Sequence, residues 1–561
     1  MIAAGSRVEQ EAFEIWKTLW PDQAYVAGLD EAVGKFFVPT SANVRRMRQR
    51  IAKARGSAKD VTVRKFLASL DAGLTLPEPA RTPETMVASI FGYMIKEEVV
   101  PEHMGALAAA AAKALDAERL RYARKRWPPG MRALVQLSAS GLEEIVDIIE
   151  KELQLASGNE HALTSVAKLR AALARYRKSF DLPGFRPEAD FDATYAYFKE
   201  HGADLGRKGT YAKSLRDLWD YKETPAQVEA AGLRMMRRES PRFRTVAVAM
   251  AGELHCDPTP EAVQLALRSK HGLRPDQILA FLNAVRDPCR RVADKHVVGI
   301  NPKYHTIVIE TPPYFVNTTP SGAEYSVESL TDHSKEIFMA TTDPKSAARP
   351  PPGELLSLLV HEEYGHAVHG SNTSNAFAGK AALVDTLSSS FGCVSEGIAF
   401  QRELEFLPVM NGIASGRYDG PEERALSEAL EPWGGFTAAA RQFEFLTYLW
   451  RVVRFLRVIG DARINSGKQD IVEFVDWSHK QYGVERATVY NNVFPAHQIL
   501  GAGYASTYAM IGERIREIQE RAAKRGIPLR DLNAFACSIG WPPKSVFEAR
   551  LEEWVRARGG R

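Results

Sequence analysis

Cysteine is scarce in this chain. Four are scattered over 561 residues, Cys256, Cys289, Cys393 and Cys537, with no C-x-x-C pair. That spacing excludes a cysteine zinc knuckle and fits a reducing compartment, so a cytoplasmic location is expected. No apolar run reaches the roughly 18 residues that would span a bilayer. The opening Met1-Ile2-Ala3-Ala4-Gly5-Ser6-Arg7 turns polar too early for a signal peptide. Net charge is nearly absent as well, with 73 Lys and Arg against 69 Asp and Glu. A balance of that kind favours neither nucleic acid nor a membrane surface as partner. No fixed-period repeat is found. What remains is ordinary globular usage, 45% hydrophobic and 25% charged, on a chain long enough for two lobes and a large core.

Helical periodicity dominates. An Ala-rich run over 104–126 is a strong helix former, stopped by Trp127-Pro128-Pro129-Gly130. Further helices are predicted over 131–155, 161–179, 190–201, 211–221, 224–238, 242–254, 259–271 and 275–292. The turn cluster Asp181 to Pro187 marks a boundary. Strand-favouring residues then appear at Tyr304–Glu310 and Glu336–Thr341, separated by a Pro, Gly and Asn loop around Pro312 to Gly322. The expected class is mainly α, a large helical two-lobed fold with a small β-sheet. Three regions are expected: N-terminal helical (1–186), middle helical (187–295) and a third (296–561), forming one two-lobed unit.

After Pro350-Pro351-Pro352 comes an apolar run and then His361-Glu362-Glu363-Tyr364-Gly365-His366. Imidazole suits zinc, and a Glu beside the first His is where metallohydrolases keep their general base. The usual signature is H-E-x-x-H, with both His on one helix face. Here the second His is five residues on, about 500° around an ideal helix, so the two would diverge by roughly 140°. A single π turn near Glu363 to Gly365 would realign them, and Gly365 eases that distortion. The alternative is a regular helix using His366 and His369. The third ligand is expected downstream at Glu396, near the start of a helix running through Glu403. Glu403, seven residues on, lies on the same face and could orient a ligand. Cys393 is a rival ligand, or a small buried hydrophobe.

These segments resemble the domain-of-unknown-function family 885, a set of helical zinc peptidases. The resemblance rests on H-E-x-x-x-H with Gly before the second His, and on E-G-x-A-x-x-x-E from Glu396 to Glu403. It extends to Arg457, Asp461 and Gly467, to Gly209-Thr210-Tyr211, and to Thr224-Pro225 with Gly232. Gly503-Tyr504-Ala505-Ser506-Thr507-Tyr508, with His497 before it, is similar to a segment of that family. It is also similar to one in thimet-type oligopeptidases and related carboxypeptidases. The chain departs from the family in Tyr364-Gly365-His366-Ala367 and in Ile398. Dipeptidyl peptidase three shares H-E-x-x-G-H, but its E-E-x-R-A-E motif is missing here.

The resemblance implies a zincin-like fold with the small sheet beside the catalytic helix, a zinc catalytic region over 296–561, and a zinc-dependent metallopeptidase acting on short peptides. His361, His366 and Glu396 would bind Zn2+, with Glu362 as base. Tyr504, Tyr508 and His497, on a helix from Gln498 to about Glu520 or just before it, would supply the donor to the carbonyl oxygen. Arg457 and Asp461 would face the cleft, although four-residue spacing also suits a surface ion pair. Two other functions stay open: a zinc hydrolase of a non-peptide amide or ester, which only the pocket distinguishes, and a non-catalytic helical binding protein, which has no use for Glu362. Peptide bond position, side-chain preference and oligomeric state are not legible.

Overall fold

The computed structural model describes residues 5–97, 99–122, 124–156, 158–313, 316, 319, 321–331, 335–342, 349–377 and 393–558. The Cys393 side chain and parts of the Pro312 to Gly322 loop lie outside them. The chain is mainly α with one small sheet, and its buried apolar residues join into a continuous core from Ala12 to Val555. Among the described residues no helix is long and apolar enough to cross a membrane.

The first hundred residues, for which the sequence pattern gave no assignment, form helices with clear start signals. Ser6, Thr40 and Asp60 each accept a backbone N–H from the first turn that follows them, and the helices are Arg7–Leu19, Ser41–Ser57 and Val61–Thr75. Helices Pro101–Tyr122, Pro129–Leu155 and Glu160–Ser179 then occur close to their expected spans.

Three expectations need correction. Residues 224–254 are not two helices but one, Pro225–Leu254, running through Pro241. Proline removes a hydrogen bond, yet packing along the helix Phe436–Asn465 holds the element together. The span 211–221 is a short helical turn continued as a π segment, Ser214–Leu218. The sheet has three strands rather than two, β1 (Thr306–Glu310), β2 (Gly322–Val327) and β3 (Lys335–Ala340), in the order β1-β3-β2. β1 runs parallel to β3, with Val308 opposite Phe338. β2 runs antiparallel to it, with Glu324 opposite Phe338. Ile337, Phe338, Met339 and Ala340 are all buried, as befits a central strand. β2 is therefore an edge, and it packs on the helix that bears the histidines.

Candidate metal centre

The helix Pro352–His361 starts on a proline at its first position and buries Leu355, Leu356, Leu359 and Val360. It passes directly into a π-helical turn, Glu362–Ala367, and then into helix Val368–Phe377. That turn absorbs the extra residue. The His361 and His366 rings lie 5.0 Å apart, both towards the helix Cys393–Ala414. Gly365 makes the approach feasible: a Cβ there would stand 2.6 Å from Cα and Cβ of Ala399. Gly397 does the same on the other side, where a Cβ would meet Ile511 of helix Tyr504–Ala523 at 2.3 Å.

Glu396 completes a cluster. One ligand atom each from His361, His366 and Glu396 fall within 4.8 Å of one another. Glu396 Oε2 lies 3.7 Å from His361 Nε2 and 3.3 Å from His366 Nε2, and it is buried with no hydrogen-bond partner. The other carboxylate oxygen accepts the Tyr504 hydroxyl at 2.5 Å. Burial pushes the Glu396 carboxyl up, but the two imidazoles outweigh it and hold it well below the usual range. Behind each imidazole stands an orienting group. His361 Nδ1 is 2.7 Å from Glu403 Oε1, and Arg454 clamps that carboxylate at 2.7 and 3.0 Å. His366 Nδ1 is 2.8 Å from Ser395 Oγ. Partners of this kind fix the tautomer and ring orientation of metal-ligating histidines, leaving Nε2 to the metal. These three residues could hold a metal ion.

His369 does not compete. It is fully buried, with Nδ1 at Ser395 Oγ and Nε2 at the Gly540 carbonyl, so both nitrogens are engaged. Burial drives its pKa down to about 3, which keeps the ring neutral. Glu363, the second acid of the motif, points away and pairs with Arg286 at 2.7 Å.

Glu362 borders a cavity of about 570 Å³ that also contains His361, His366 and Glu396. Its Oε2 accepts the Glu324 N–H at 2.9 Å, so β2 aims the carboxylate. Burial raises its carboxyl above the ordinary value, against the pull of the two imidazoles. Tyr504, Tyr508 and His497 line the same cavity. The hydroxyls of Tyr504 and Tyr508 are 3.4 Å apart, and the Tyr508 ring stacks 6.3 Å from His361. His497 lies in a separate short helix, Pro495–Gln498. The main helix begins only at Tyr504, because Gly501 and Gly503 take positive φ between the two. Burial, then nearby Arg457, keep His497 far below its usual pKa.

Arg457 and Asp461 are not a pair. Arg457 borders the cavity, whereas Asp461 is fully buried and accepts from Tyr211, Gly503, Ser506 and Asn465 at 2.6–3.0 Å. Asp461 thereby anchors the turn that launches Tyr504. The sequence reading did not single out Ser395, Glu324 or Asn492. Arg454 was visible, three residues before Arg457 on one helical stripe, but nothing in the pattern tied it to Glu403.

Comparison with known proteins gives a fold and no function. No family model matches the chain, and no curated protein does either. Solved structures do, two of them over nearly the whole chain. The fold is shared. One, from Colwellia psychrerythraea, is provisionally named a lipoprotein; it superposes with a TM-score of 0.68 at 13% identity, over 99% of this chain and 100% of that one. The other, from Shewanella oneidensis, carries the same provisional name with unknown function; the TM-score is 0.64 at 15% identity, over 98% and 100%. The resemblance to domain-of-unknown-function family 885, and the more distant one to thimet-type oligopeptidases and related carboxypeptidases, are therefore withdrawn. Several matched residues have local structural reasons. Thr224 caps a helix, Gly232 lets that helix approach Val458 and Ile459, and Gly467 turns the chain at positive φ after Asn465.

Proposed function

We propose that the protein is a zinc-dependent metallopeptidase acting on short peptides. The observation that carries the reading is Glu396 Oε2, a buried oxygen without a hydrogen-bond partner, facing two imidazole Nε2 atoms whose Nδ1 atoms are already engaged. Two imidazoles and one carboxylate, with no thiolate, are the donor set of a catalytic zinc that keeps one position open. When bound, zinc supplies a Lewis acid for a carbonyl oxygen and for water.

The chain's own residues divide the remaining work. Glu362 Oε2 is held by the Glu324 N–H, so Oε1 takes a proton from the attacking water and returns it to the leaving amine. The Tyr504 hydroxyl is spent on Glu396; of the two remaining candidates, Tyr508, whose ring stacks beside His361, is the donor to the carbonyl oxygen as it gains charge. β2 is an edge strand along the cavity, a place where an extended peptide can add backbone hydrogen bonds. Residues from the N-terminal region, Trp16, Gln23 and Glu84, border the same cavity and restrict it to small substrates. A cytoplasmic location remains part of the proposal, on cysteine usage.

A digest of a short-peptide library, read by mass spectrometry with zinc, with chelator and after zinc is restored, tests the reading. Cleavage that disappears with chelator and in Glu362→Gln is expected. Zinc-loaded protein that cleaves amide or ester substrates but no peptide would favour the non-peptide hydrolase. Inertness towards both would favour the binding protein.

A further inference from the structure

Five arginines are buried among the described residues: Arg207, Arg402, Arg451, Arg454 and Arg457. A guanidinium stays charged in proteins, and an unpaired buried charge is costly. Four of the five meet carboxylates, Arg207 that of Glu78, Arg402 that of Glu405, Arg451 those of Glu239 and Glu513, and Arg454 that of Glu403. Arg457 makes no ion pair with a described residue. It is only 7% exposed, its Nε is buried without a partner, and one Nη donates to Asn492 Oδ1 at 2.5 Å. Its Cζ lies 4.8 Å from the centre of the Tyr508 ring, and both residues border the cavity of the metal cluster.

The position of this charge bounds a distance. Cζ of Arg457 lies 4.8 Å from the centre of the Tyr508 ring, and that ring centre lies 6.3 Å from the centre of the His361 ring, so Arg457 is within about 11 Å of His361, the sum of the two. An extended peptide advances about 3.3–3.6 Å per residue, so an anion held by Arg457 lies within about three substrate residues of a carbonyl at the cluster.

We propose that Arg457, with Asn492 beside it, binds the C-terminal carboxylate of the substrate, so that the protein releases up to about three residues from the carboxyl end of short peptides. A guanidinium fork matches a carboxylate with two parallel hydrogen bonds, and the ligand would bring the counter-charge that no described residue supplies as an ion pair. The peptide nature of the substrate rests on the function proposed above; the demand for an anion rests on Arg457 itself.

N-acetylated tripeptides with a free carboxylate, each paired with its C-terminal amide, provide the test. With zinc-loaded wild type, kcat/KM for the acid is expected to exceed that for the amide by about 10²-fold, mainly through KM, the value of a charged hydrogen-bond pair. Arg457→Gln should bring the ratio close to one with zinc content unchanged. The same pairs are titrated calorimetrically into zinc-loaded Glu362→Gln, where nothing turns over. The acid should bind at least about 10-fold tighter, and adding Arg457→Gln should abolish the difference. Arg457→Lys repeats the comparison should Arg457→Gln fail to fold, and it should retain only part of the preference. Acid-selective binding without cleavage would keep Arg457 as the carboxylate site and sink the peptidase, and the release of residues with it. Equal cleavage or equal binding of acid and amide, or binding of neither, would overturn the inference.

Discussion

Gly365→Ala tests how the site is built. Gly365 lies in the π turn between the two histidines, and an added Cβ would stand 2.6 Å from both Cα and Cβ of Ala399. Carbon atoms in contact prefer about 3.5–4.0 Å. Cα of Ala399 is backbone and cannot swing aside, so the two helices must part by about 1 Å. Overpacking of this kind costs about 1–3 kcal/mol. The same displacement separates His366 from Glu396, which sits three residues before Ala399. Metal sites tolerate roughly 0.2 Å, so the mismatch is several times what the site can absorb. We expect a folded protein with an earlier urea midpoint and zinc affinity reduced at least about 10-fold, read by competition with a chromophoric chelator. Gly141→Ala is the control. It lies in helix Pro129–Leu155, where a Cβ would meet nothing within 4 Å. It should gain about 0.5–1 kcal/mol and leave zinc affinity alone. A Gly365→Ala protein with unchanged urea midpoint and unchanged zinc affinity refutes the claim that this crossing sets the ligand geometry.

Glu362→Gln should keep its zinc and its fold while losing most turnover; loss of metal as complete as in His361→Ala would make Glu362 a ligand instead. Tyr508→Phe is expected to lower kcat about 10²-fold with KM little changed, whereas Tyr504→Phe, which frees Glu396 Oε1, should also weaken zinc binding measurably. Asp461→Ala strips four buried donors of their acceptor and should cost about 3 kcal/mol or more in urea denaturation, with Asp461→Asn milder. Asp22 is buried, and burial raises its pKa from 3.8 to about 6. A raised carboxyl pKa means that folding is favoured below about pH 4 and penalised as pH climbs through 6, by up to about 3 kcal/mol. Asp22→Asn should therefore stabilise the protein at pH 7.5 and not at pH 4; the same gain at both would refute the assignment.

What was legible in the sequence was chemistry with a short period. His361, Gly365 and His366 define a local geometric conflict, and a π turn is its local solution, so no distant residue had to be known. The long helices were legible for a similar reason, since an apolar stripe repeats every turn. β2 was not. Gly322-Ala323-Glu324-Tyr325-Ser326-Val327 carries weak strand preference and is a strand because β3 offers it a partner. With β2 missed, the residue that aims Glu362 was missed too. Pro241 misled because local propensity was read without the Phe436–Asn465 helix that overrides it.

The two halves of the stripe Arg451, Arg454, Arg457 and Asp461 make the limit plain. Their spacing puts three cations and an acid on one helix face, and by itself leaves open whether Arg457 and Asp461 form a surface ion pair or face a cleft. In the fold each finds a different destination, fixed by residues far along the chain: Glu239 and Glu513 for Arg451, Glu403 for Arg454, and Tyr211, Gly503 and Ser506 for Asp461. Arg457 is left with Asn492 and the cavity. Only when the other three are accounted for does the guanidinium without an ion pair among the described residues stand out, and of the two residues expected at the cleft it is Arg457, not Asp461, that borders the cavity and reports on the ligand.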